Sequence, residues 1–288
     1  MLKRLAALSA CVCAMLLAQK DWYVPFPAFR IADHLYYVGS KDLASYLITT
    51  SQGDIVINSG FDRNVPQIRD GIEKLGFKPT DVKILLASHA HGDHVAGMAM
   101  LQEITGAKIY TMQGDVPVME SGGRGQYKYT DTWKPVKVDR VLHDGDKVTL
   151  GGVTLTAHLT PGHTRGCTTW TMRTTDGGKS YNVVIIGSPN VNAGFQLVNN
   201  RDYPQIATDF AHTFQVLKSL PCDIFLGAHG GYYNMVEKYE QMKAKGGNPF
   251  IDPAGYRKYV NQTEHAYLTK LEDQKKQAAS GAPQQNPR

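Results

Sequence analysis

The sequence predicts one α/β domain in which β-strands and α-helices form layers. Short runs of β-branched and aliphatic residues recur along the chain, and a segment with helical periodicity follows strands in each half. After the N-terminal segment, no stretch with the composition of a linker divides the chain. Of the 288 residues, 42% are hydrophobic, and a chain of this length buries roughly three quarters of its unfolded surface in one core. A disordered or collagen-like chain is therefore excluded.

In the first half, strands alternate with two predicted helices. Helical periodicity covers residues 65–75 and stops at Gly76, and a second helix is predicted from 94 to about 104. Residues 114–132 are polar and rich in Gly, show no clear period, and are predicted to form a loop. Strands are predicted at 34–38, 45–50, 54–58, 82–87 and 108–112.

The second half contains more strands and three longer helices. Strands are predicted at 140–142, 147–150, 153–159, 168–173, 182–186 and 223–226. Helices are predicted at 203–220, 234–244 and 253 to about 276. From about residue 277 the chain is rich in Gln, Ala, Pro and Gly, which predicts a frayed C-terminal tail.

The N-terminus has the pattern of a secretory signal. Lys3 and Arg4 precede an apolar run over 5–18, after which the chain turns polar. This run is shorter than the roughly 20 residues that a membrane-spanning helix needs. We therefore predict a signal peptide at 1–18, a single domain at 19–288, no membrane span and, for a bacterial source, a periplasmic protein. A cut after Ala14 and a buried N-terminal helix are the alternatives.

The cysteines give little evidence for a disulfide framework. Cys11 and Cys13 lie in the predicted signal, where residues 8–11 also resemble a lipobox, so a lipoprotein is a further alternative. Cys167 and Cys222 remain, and a periplasmic protein could pair them. Neither spacing indicates a thiolate zinc site.

The charge distribution excludes one class of partner. The chain has 31 Lys and Arg against 26 Asp and Glu, a net charge of +5 with neutral histidines. The positive residues are scattered along the sequence. Nucleic-acid binding needs positive charge clustered on one face, so no nucleic-acid partner is expected.

A cluster of metal-type ligands follows the predicted strand at 82–87. His89, His91, Asp93 and His94 fall within one short segment, and the small residues between them leave room for the imidazoles to converge. Imidazole nitrogen and carboxylate oxygen suit zinc and similar metals. These ligands are too many for one open catalytic site, so the cluster indicates two ions, each completed by a distant ligand.

Two other histidines have a suitable setting for that role. His163 lies on a Pro-Gly turn after the predicted strand at 153–159, and His229 lies beside glycines after the strand at 223–226. Both therefore sit at strand ends, where loops present functional groups. The remaining histidines lack such a setting: His34, His143, His158, His212 and His265.

These motifs resemble the metallo-β-lactamase superfamily. The shared features are His-x-His-x-Asp-His at 89–94, Pro-Gly-His-Thr at 161–164 and Gly-Ala-His at 227–229, and the resemblance spans 34 to about 275. It implies a four-layer αββα sandwich with metals at one edge of the two sheets. The motif is specific for the superfamily but not for the reaction, since glyoxalase II enzymes, lactonases and some nucleases share it.

Two positions refine the resemblance. Ser188 follows the strand at 182–186, where many hydrolases of the superfamily carry a metal-bridging aspartate. This substitution is similar to that of subclass B3 metallo-β-lactamases. Members of that subclass often join the region of Cys222 to a cysteine in the last helix, but Tyr256 takes that place here, so Cys222 is expected to be a free thiol.

The resemblance implies a zinc enzyme that hydrolyses the β-lactam amide and so confers antibiotic resistance. The expected cofactors are two Zn²⁺ per chain, and a zinc-bound hydroxide, oriented by the catalytic Asp93, would attack the β-lactam carbonyl. The two expected ligand sets are His89, His91 and His163 for one ion and Asp93, His94 and His229 for the other.

Substrate contacts are hypotheses from position. Ser188 and Asn190 are placed to bind the substrate carboxylate or a water. Val118, Met119 and Tyr127 are candidates for apolar contacts, because the loop that contains them is expected to overhang the pocket.

Two other functions remain as alternatives. One is another hydrolase of the same fold, a lactonase or a thioesterase. The other is a metal-binding protein without turnover. The preferred β-lactams and the oligomeric state are not predicted.

Overall fold

A computed structural model describes residues 21–280. The predicted signal at 1–18, with Cys11 and Cys13, lies outside the described residues, as does the predicted tail beyond residue 280. Within the described part, no helix is both long enough and apolar enough to cross a membrane.

The first sheet has seven strands in chain order. The strands β1 to β4 are antiparallel neighbours, and β4 to β7 are parallel. They are β1 Phe29–Ala32, β2 Leu35–Tyr37, β3 Tyr46–Ile48, β4 Asp54–Ile57, β5 Val82–Leu86, β6 Lys108–Met112 and β7 Arg140–Leu142.

The second sheet has five strands in the order β12-β11-β10-β9-β8, also in chain sequence. The pairs from β8 to β11 are antiparallel, and β11 and β12 are parallel. The strands are β8 Lys147–Leu150, β9 Val153–Leu159, β10 Thr168–Asp176, β11 Lys179–Ile186 and β12 Ile224–Gly227.

Helices cover the outer faces of both sheets. The first sheet carries α1 Val65–Lys74, α2 Gly92–Val95, α3 Met98–Thr105 and α4 Val116–Ser121. The later helices are α5 Ile206–Ser219, α6 Met235–Lys245 and α7 Pro253–Ala279. Short 3₁₀ turns lie at Asp62–Asn64, Pro79–Asp81, Gln113–Asp115 and Gly230–Tyr232.

Side-chain alternation explains the layers. In β4, Ile55 and Ile57 join the core between the two sheets, whereas Val56 points to the opposite face and packs with α1. Successive side chains of a strand face opposite sides of the sheet, so a strand that is apolar throughout must be covered on both faces. This arrangement confirms the predicted α/β class and the αββα sandwich.

The structure differs from the predicted elements in three places. The strand β1 was not predicted, because its four residues, Phe29–Ala32, are too few to show a period. The predicted loop at 114–132 contains α4, and Met119 of that helix is fully buried in the core under the first sheet. The predicted helix at 94–104 divides into α2 and α3 at Gly97, whose backbone amide donates to the Gly60 carbonyl (2.9 Å) instead of to a carbonyl of α2.

The cysteines of the described chain are free thiols. Cys167 is buried and Cys222 is partly buried. In the last helix, Tyr256 stands where subclass B3 enzymes often have the second cysteine. It packs on Phe225 and donates a hydrogen bond to the carbonyl of Leu217 (2.6 Å).

Candidate metal centre

The histidine cluster lies where the parallel strand β5 ends and α2 begins. Asn58, in the left-handed region with φ 64°, accepts a hydrogen bond from the Ser88 amide (2.8 Å) through its side chain. This bond fixes the direction in which the chain leaves β5. The segment then presents His89 and His91 from extended backbone and Asp93 and His94 from the first turn of α2.

The two distant histidines arrive from the second sheet. His163 lies on the loop between β9 and β10, and His229 follows β12. The ring centroids of His89, His91 and His163 lie 4.7–4.9 Å apart. One potential ligand atom of each of these side chains lies within 4.8 Å of the others, and the same holds for His89, Asp93 and His94. The six side chains predicted as metal ligands therefore share one edge of the sandwich.

Asp93 lies between two of these histidines, His94 and His229. Its Oδ2 lies 3.3 Å from Nε2 of His94 and 3.4 Å from Nε2 of His229. Burial opposes ionisation of this carboxyl, but His94 and His229 outweigh that effect and hold its pKa well below the usual range. Asp93 is therefore a carboxylate at neutral pH.

Asp42 supports His229 from the loop between β2 and β3. Its Oδ2 accepts a hydrogen bond from Nδ1 of His229 (2.8 Å), and its Oδ1 accepts one from the Gly231 amide (2.9 Å). Burial lowers the pKa of His229, but the hydrogen bonds to Asp42 and Asp93 raise it to about 9. A histidine must be neutral at the coordinating nitrogen, so metal binding here releases a proton.

The other histidines favour the neutral form. Burial, followed by the neighbouring imidazoles, lowers the pKa of His89 and His91 well below the usual value. Burial also lowers the pKa of His94, and it lowers that of His163 to about 4. His163 donates from Nδ1 to the Asn190 carbonyl (2.8 Å), which leaves Nε2 to bind a metal. Neutral imidazole is the form that ligates metals.

Buried nitrogen atoms show that this edge fits a metal. Within residues 21–280, Nε2 of His89, Nε2 of His91 and Nδ1 of His94 are buried without a hydrogen-bond partner, and Nε2 of His94 faces only the Asp93 carboxylate at 3.3 Å. A buried polar atom without a partner costs free energy. A bound metal ion would give these clustered nitrogens a partner. The donor set of imidazoles and one carboxylate suits zinc.

Asp115 ties the two histidine loops together. Its buried carboxylate accepts hydrogen bonds of 2.8 Å from the Ala90 amide, the Thr164 hydroxyl and the Gly166 amide. Ala90 lies between His89 and His91, and Thr164 follows His163. The carboxylate therefore fixes the distance between loops that come from different sheets.

A cavity of about 670 Å³ opens over the cluster. His91, Asp93, His163 and His229 form its floor. Its walls are mainly aromatic and amide side chains, contributed by Trp22, Tyr23, Phe61, Tyr129, Tyr232, Asn190 and Asn192. A second cavity, of about 730 Å³ around His34 and Asp54, contains none of the predicted site residues.

The predicted substrate contacts occupy different positions. Asn190 lines the cavity. Ser188 is 1% exposed and does not line it, and its hydroxyl lies 3.1 Å from that of Tyr232, which does. Of the candidate apolar residues, Met119 is in the core, and Val118 and Tyr127 lie outside this cavity.

Sequence reasoning missed Asp42, Tyr129 and Tyr232. Tyr232 follows the Gly-Ala-His motif closely, so an aromatic residue beside a ligand loop was the available signal. Asp42 contacts His229 across 187 residues of sequence, and no local pattern marks such a partner.

Comparison with known proteins identifies relatives over most of the chain. A family model of the metallo-β-lactamase superfamily matches residues 43–175. The native FEZ-1 metallo-β-lactamase from Legionella gormanii superimposes with a TM-score of 0.86 at 52% identity, covering 88% of this chain and 98% of that one. BJP-1, a subclass B3 metallo-β-lactamase of Bradyrhizobium japonicum, superimposes with a TM-score of 0.83 at 39% identity, covering 90% and 98%.

The curated relatives match shorter segments. A hydroxyacylglutathione hydrolase of Cereibacter sphaeroides is 34% identical over 82 residues, 28% of this chain and 26% of that protein. The chain spans between 26% and 60% of the length of the first three curated relatives that it matches.

Proposed function

Because the chain belongs to the metallo-β-lactamase superfamily, and is most similar to enzymes of subclass B3, we propose that it hydrolyses the amide bond of β-lactams with zinc as cofactor. One observation carries this proposal. The chain covers 98% of a metallo-β-lactamase at 52% identity, and four of the six zinc-type ligands, His91, Asp93, His163 and His229, line the cavity of this chain, with His89 and His94 buried beside them.

Two zinc ions per chain are proposed, with separate ligand sets. His89, His91 and His163 would hold one ion, and Asp93, His94 and His229 would hold the other. The orphan nitrogens of His89, His91 and His94 support this division, as does the position of Asp93 between His94 and His229. When bound, zinc supplies Lewis acidity, which polarises a carbonyl oxygen and makes water acidic enough to react at neutral pH.

Asp93 is the proposed catalytic residue. Its Oδ2 faces His94 and His229, and its side chain is 15% exposed toward the cavity that it lines. Because the carboxyl stays ionised, Oδ1 can accept a hydrogen bond from the attacking water and orient it toward the substrate carbonyl. The same oxygen can then receive the proton that the water releases.

Amide and phenol groups would hold the substrate. Asn190 and Tyr232 line the cavity on one side, and both can donate hydrogen bonds to a carboxylate. Ser188 lies behind the cavity wall, where its hydroxyl contacts that of Tyr232 and would help to orient it. The aromatic side chains of Trp22, Phe61 and others provide apolar surface for the substituents of a β-lactam.

Secretion and antibiotic resistance belong to the same proposal. The pattern at 1–18 would export the chain to the periplasm, where β-lactams act. An enzyme there would protect its host by destroying the drug before it reaches its target.

A direct assay tests the activity. Hydrolysis of a carbapenem and a cephalosporin would be measured with purified mature protein, with and without a chelator, and after zinc is restored. We expect turnover that chelation abolishes and zinc recovers. A protein that holds zinc but cleaves neither drug would contradict the proposal, and lactones and thioesters would then be assayed.

A further inference from the structure

One wall of the cavity includes Asn190 and Asn192, which belong to a segment without regular structure. Residues 190–198, here named the wall segment, connect β11 to α5 and contain neither helix nor strand. Their backbone groups therefore need partners from elsewhere. Lys270 and Gln274 of the C-terminal helix α7 supply several of these partners, and Tyr259 of the same helix bonds to the Asn190 side chain.

We propose that Tyr259, Lys270 and Gln274 of α7 are positioning residues, which hold the wall segment and so determine how tightly a β-lactam binds. This inference rests on the proposed function. It gives the helix α7, which supplies none of the proposed metal ligands, a role in that function.

The contacts between α7 and the wall segment are specific. Lys270 donates from Nζ to the carbonyls of Asn192 (2.6 Å) and Val191 (3.4 Å). The hydroxyl of Tyr259 accepts a hydrogen bond from the Asn190 side chain (3.0 Å). Eleven residues correspond to about three helical turns, so Tyr259 and Lys270 lie on the same face of α7.

Gln274, one turn further along, uses both ends of its amide. Its Oε1 accepts hydrogen bonds from the backbone amides of Leu197 (2.6 Å) and Val198 (3.3 Å), and its Nε2 donates to the Phe195 carbonyl (2.9 Å). This pairing resembles that of a neighbouring strand, although a single side chain provides it.

The residues held by α7 also make the contacts on the cavity side. The Asn190 carbonyl accepts the hydrogen bond from His163 (2.8 Å). Asn192 donates through its side chain to the Tyr129 hydroxyl (2.6 Å), and the Tyr129 ring lies 4.6 Å from that of His91. Phe195 packs against His163, with centroids 5.9 Å apart. Asn190, Asn192 and Phe195 are thus each held by α7 and each contact a residue at the site.

Tyr259 supports a second wall residue. Its ring stacks on Tyr232 with centroids 5.0 Å apart and an interplanar angle of 26°. Tyr232 and Asn190 both line the cavity, so one side chain of α7 fixes both of the groups proposed to bind substrate.

These contacts predict that loss of the α7 side chains changes substrate binding, measured as KM, more than the rate of reaction of bound substrate, measured as kcat. Lys270 and Gln274 hold the backbone of residues 191–198, whereas the reacting groups lie on other elements. When those bonds are lost, the segment samples more conformations, and substrate must restore the ordered wall as it binds. That cost raises KM and leaves the reaction of bound substrate nearly unchanged.

The experiment compares Lys270→Met and Gln274→Leu with matched controls on the same helix. Lys275→Met and Gln277→Leu make the same chemical changes at exposed positions. We expect KM for a cephalosporin to rise at least about fivefold in each test variant, since the net loss of a single hydrogen bond predicts that much and each variant loses two or three. We expect kcat to stay within about twofold of the wild-type value, because the hydrogen bonds that are lost hold the wall segment and involve none of the reacting groups. Zinc content is expected to be unchanged, and Lys270→Arg should restore KM.

Hydrogen exchange gives a readout that does not depend on activity. Backbone amides of residues 190–198 should exchange at least about fivefold faster in the two test variants than in the controls, since each bond lost lowers local protection. Unchanged exchange would show that α7 does not hold the segment. Faster exchange with an unchanged KM would show that the segment does not determine binding. Either result overturns the inference, whereas a wild-type protein without β-lactam turnover would instead contradict the proposed function.

Discussion

At the scale of single residues, the site depends on three carboxylates, of which only Asp93 belongs to a metal-type sequence motif. Asp93, Asp42 and Asp115 are all buried or partly buried, and each accepts hydrogen bonds or faces imidazoles at the same edge of the fold. Their partners separate their roles. Asp93 faces the cavity, Asp42 orients one histidine, and Asp115 joins two loops.

Asp93→Asn tests the catalytic role. The amide keeps the shape of the side chain but cannot accept a proton, so we expect kcat to fall by at least about 100-fold, the usual contribution of a general base. Asp70→Asn, on the surface beside Arg69, is the control. Steady-state kinetics and a circular dichroism spectrum would be recorded for both, and near-normal turnover in Asp93→Asn would remove its catalytic assignment.

Asp42→Ala tests the orientation of His229. Without the carboxylate, His229 loses the bond that fixes Nδ1 and directs Nε2 toward Asp93. Such supporting groups change metal affinity by about 10–100-fold, so zinc content should fall toward one per chain at limiting zinc. Metal analysis after dialysis would measure this, with Asp273→Ala on the exposed face of α7 as the control. Two tightly held ions in Asp42→Ala would show that Asp42 has no such role.

Asp115 predicts a pH dependence of stability. Burial raises its pKa to about 6, although hydrogen bonds from Ala90, Thr164 and Gly166 oppose the shift. Between the unfolded value near 4 and about 6, the folded state binds more protons, so stability from this group is lost as pH rises through that window. The change is on the order of 3 kcal/mol, from about two pKa units.

Urea unfolding of wild type and Asp115→Asn at several pH values from 4 to 7 would measure this dependence. The difference in unfolding free energy between the two proteins should change across the window and level off above it. A constant difference would show that Asp115 does not titrate there.

At the scale of elements, the turn before His163 limits what the chain can accept. Gly162 has φ 119°, and an added Cβ would lie 2.7 Å from the Phe210 ring of α5. Residues other than glycine rarely adopt this backbone conformation. The Pro-Gly-His sequence therefore reflects the close approach of α5 as well as the need for a ligand.

Gly162→Ala should lower the free energy of unfolding by about 2–4 kcal/mol, because backbone strain and overpacking add. Gly177→Ala is the control, since Gly177 has φ 57° and an added Cβ would meet nothing within 4 Å. It measures the cost of a left-handed backbone without a steric contact, which is about 1 kcal/mol. Equal losses in the two variants would show that contact with Phe210 is unimportant.

The elements also show where sequence reasoning succeeds. The His-x-His-x-Asp-His cluster, His163 and His229 were predicted because each lies at a strand end beside Gly, which is a local pattern. The helix α4 was missed because Val116–Ser121 is short, contains Pro117 and is flanked by Gly114 and Gly122, which are signals typical of loops. Met119 is a candidate for apolar substrate contact on the sequence alone, but in the structure it belongs to the core.

At the scale of the whole molecule, the fold class and the family were predictable, but the contacts across the sandwich were not. The periodicity of strands and helices specifies layers, and the metal motifs specify the superfamily. Asp42 with His229 and Asn190 with Tyr259 are pairs that only the assembled fold creates, 187 and 69 residues apart. Side chains that complete a site in this way carry no local signal.

Metal removal should affect the entire fold. The proposed ligands come from the first sheet, through β5 and α2, and from the second sheet, through the loops after β9 and β12. An ion held by both sheets stabilises the folded state by an amount that grows with the logarithm of its concentration over Kd. We expect chelation to lower Tm by several degrees and zinc to restore it. A Tm independent of chelator would show that the bound metal does not join the sheets.

Both sheets are assembled from strands that follow one another along the chain. Contacts between neighbours in sequence close short loops, which is fast, whereas bringing His229 to Asp42 closes a loop of 187 residues. Each sheet can therefore form early during folding, while the ligand loops from the two sheets meet late. Newly made chains would pass through a stage in which the scaffold exists and the catalytic edge does not, and the supply of metal at that stage would govern how fast active enzyme accumulates.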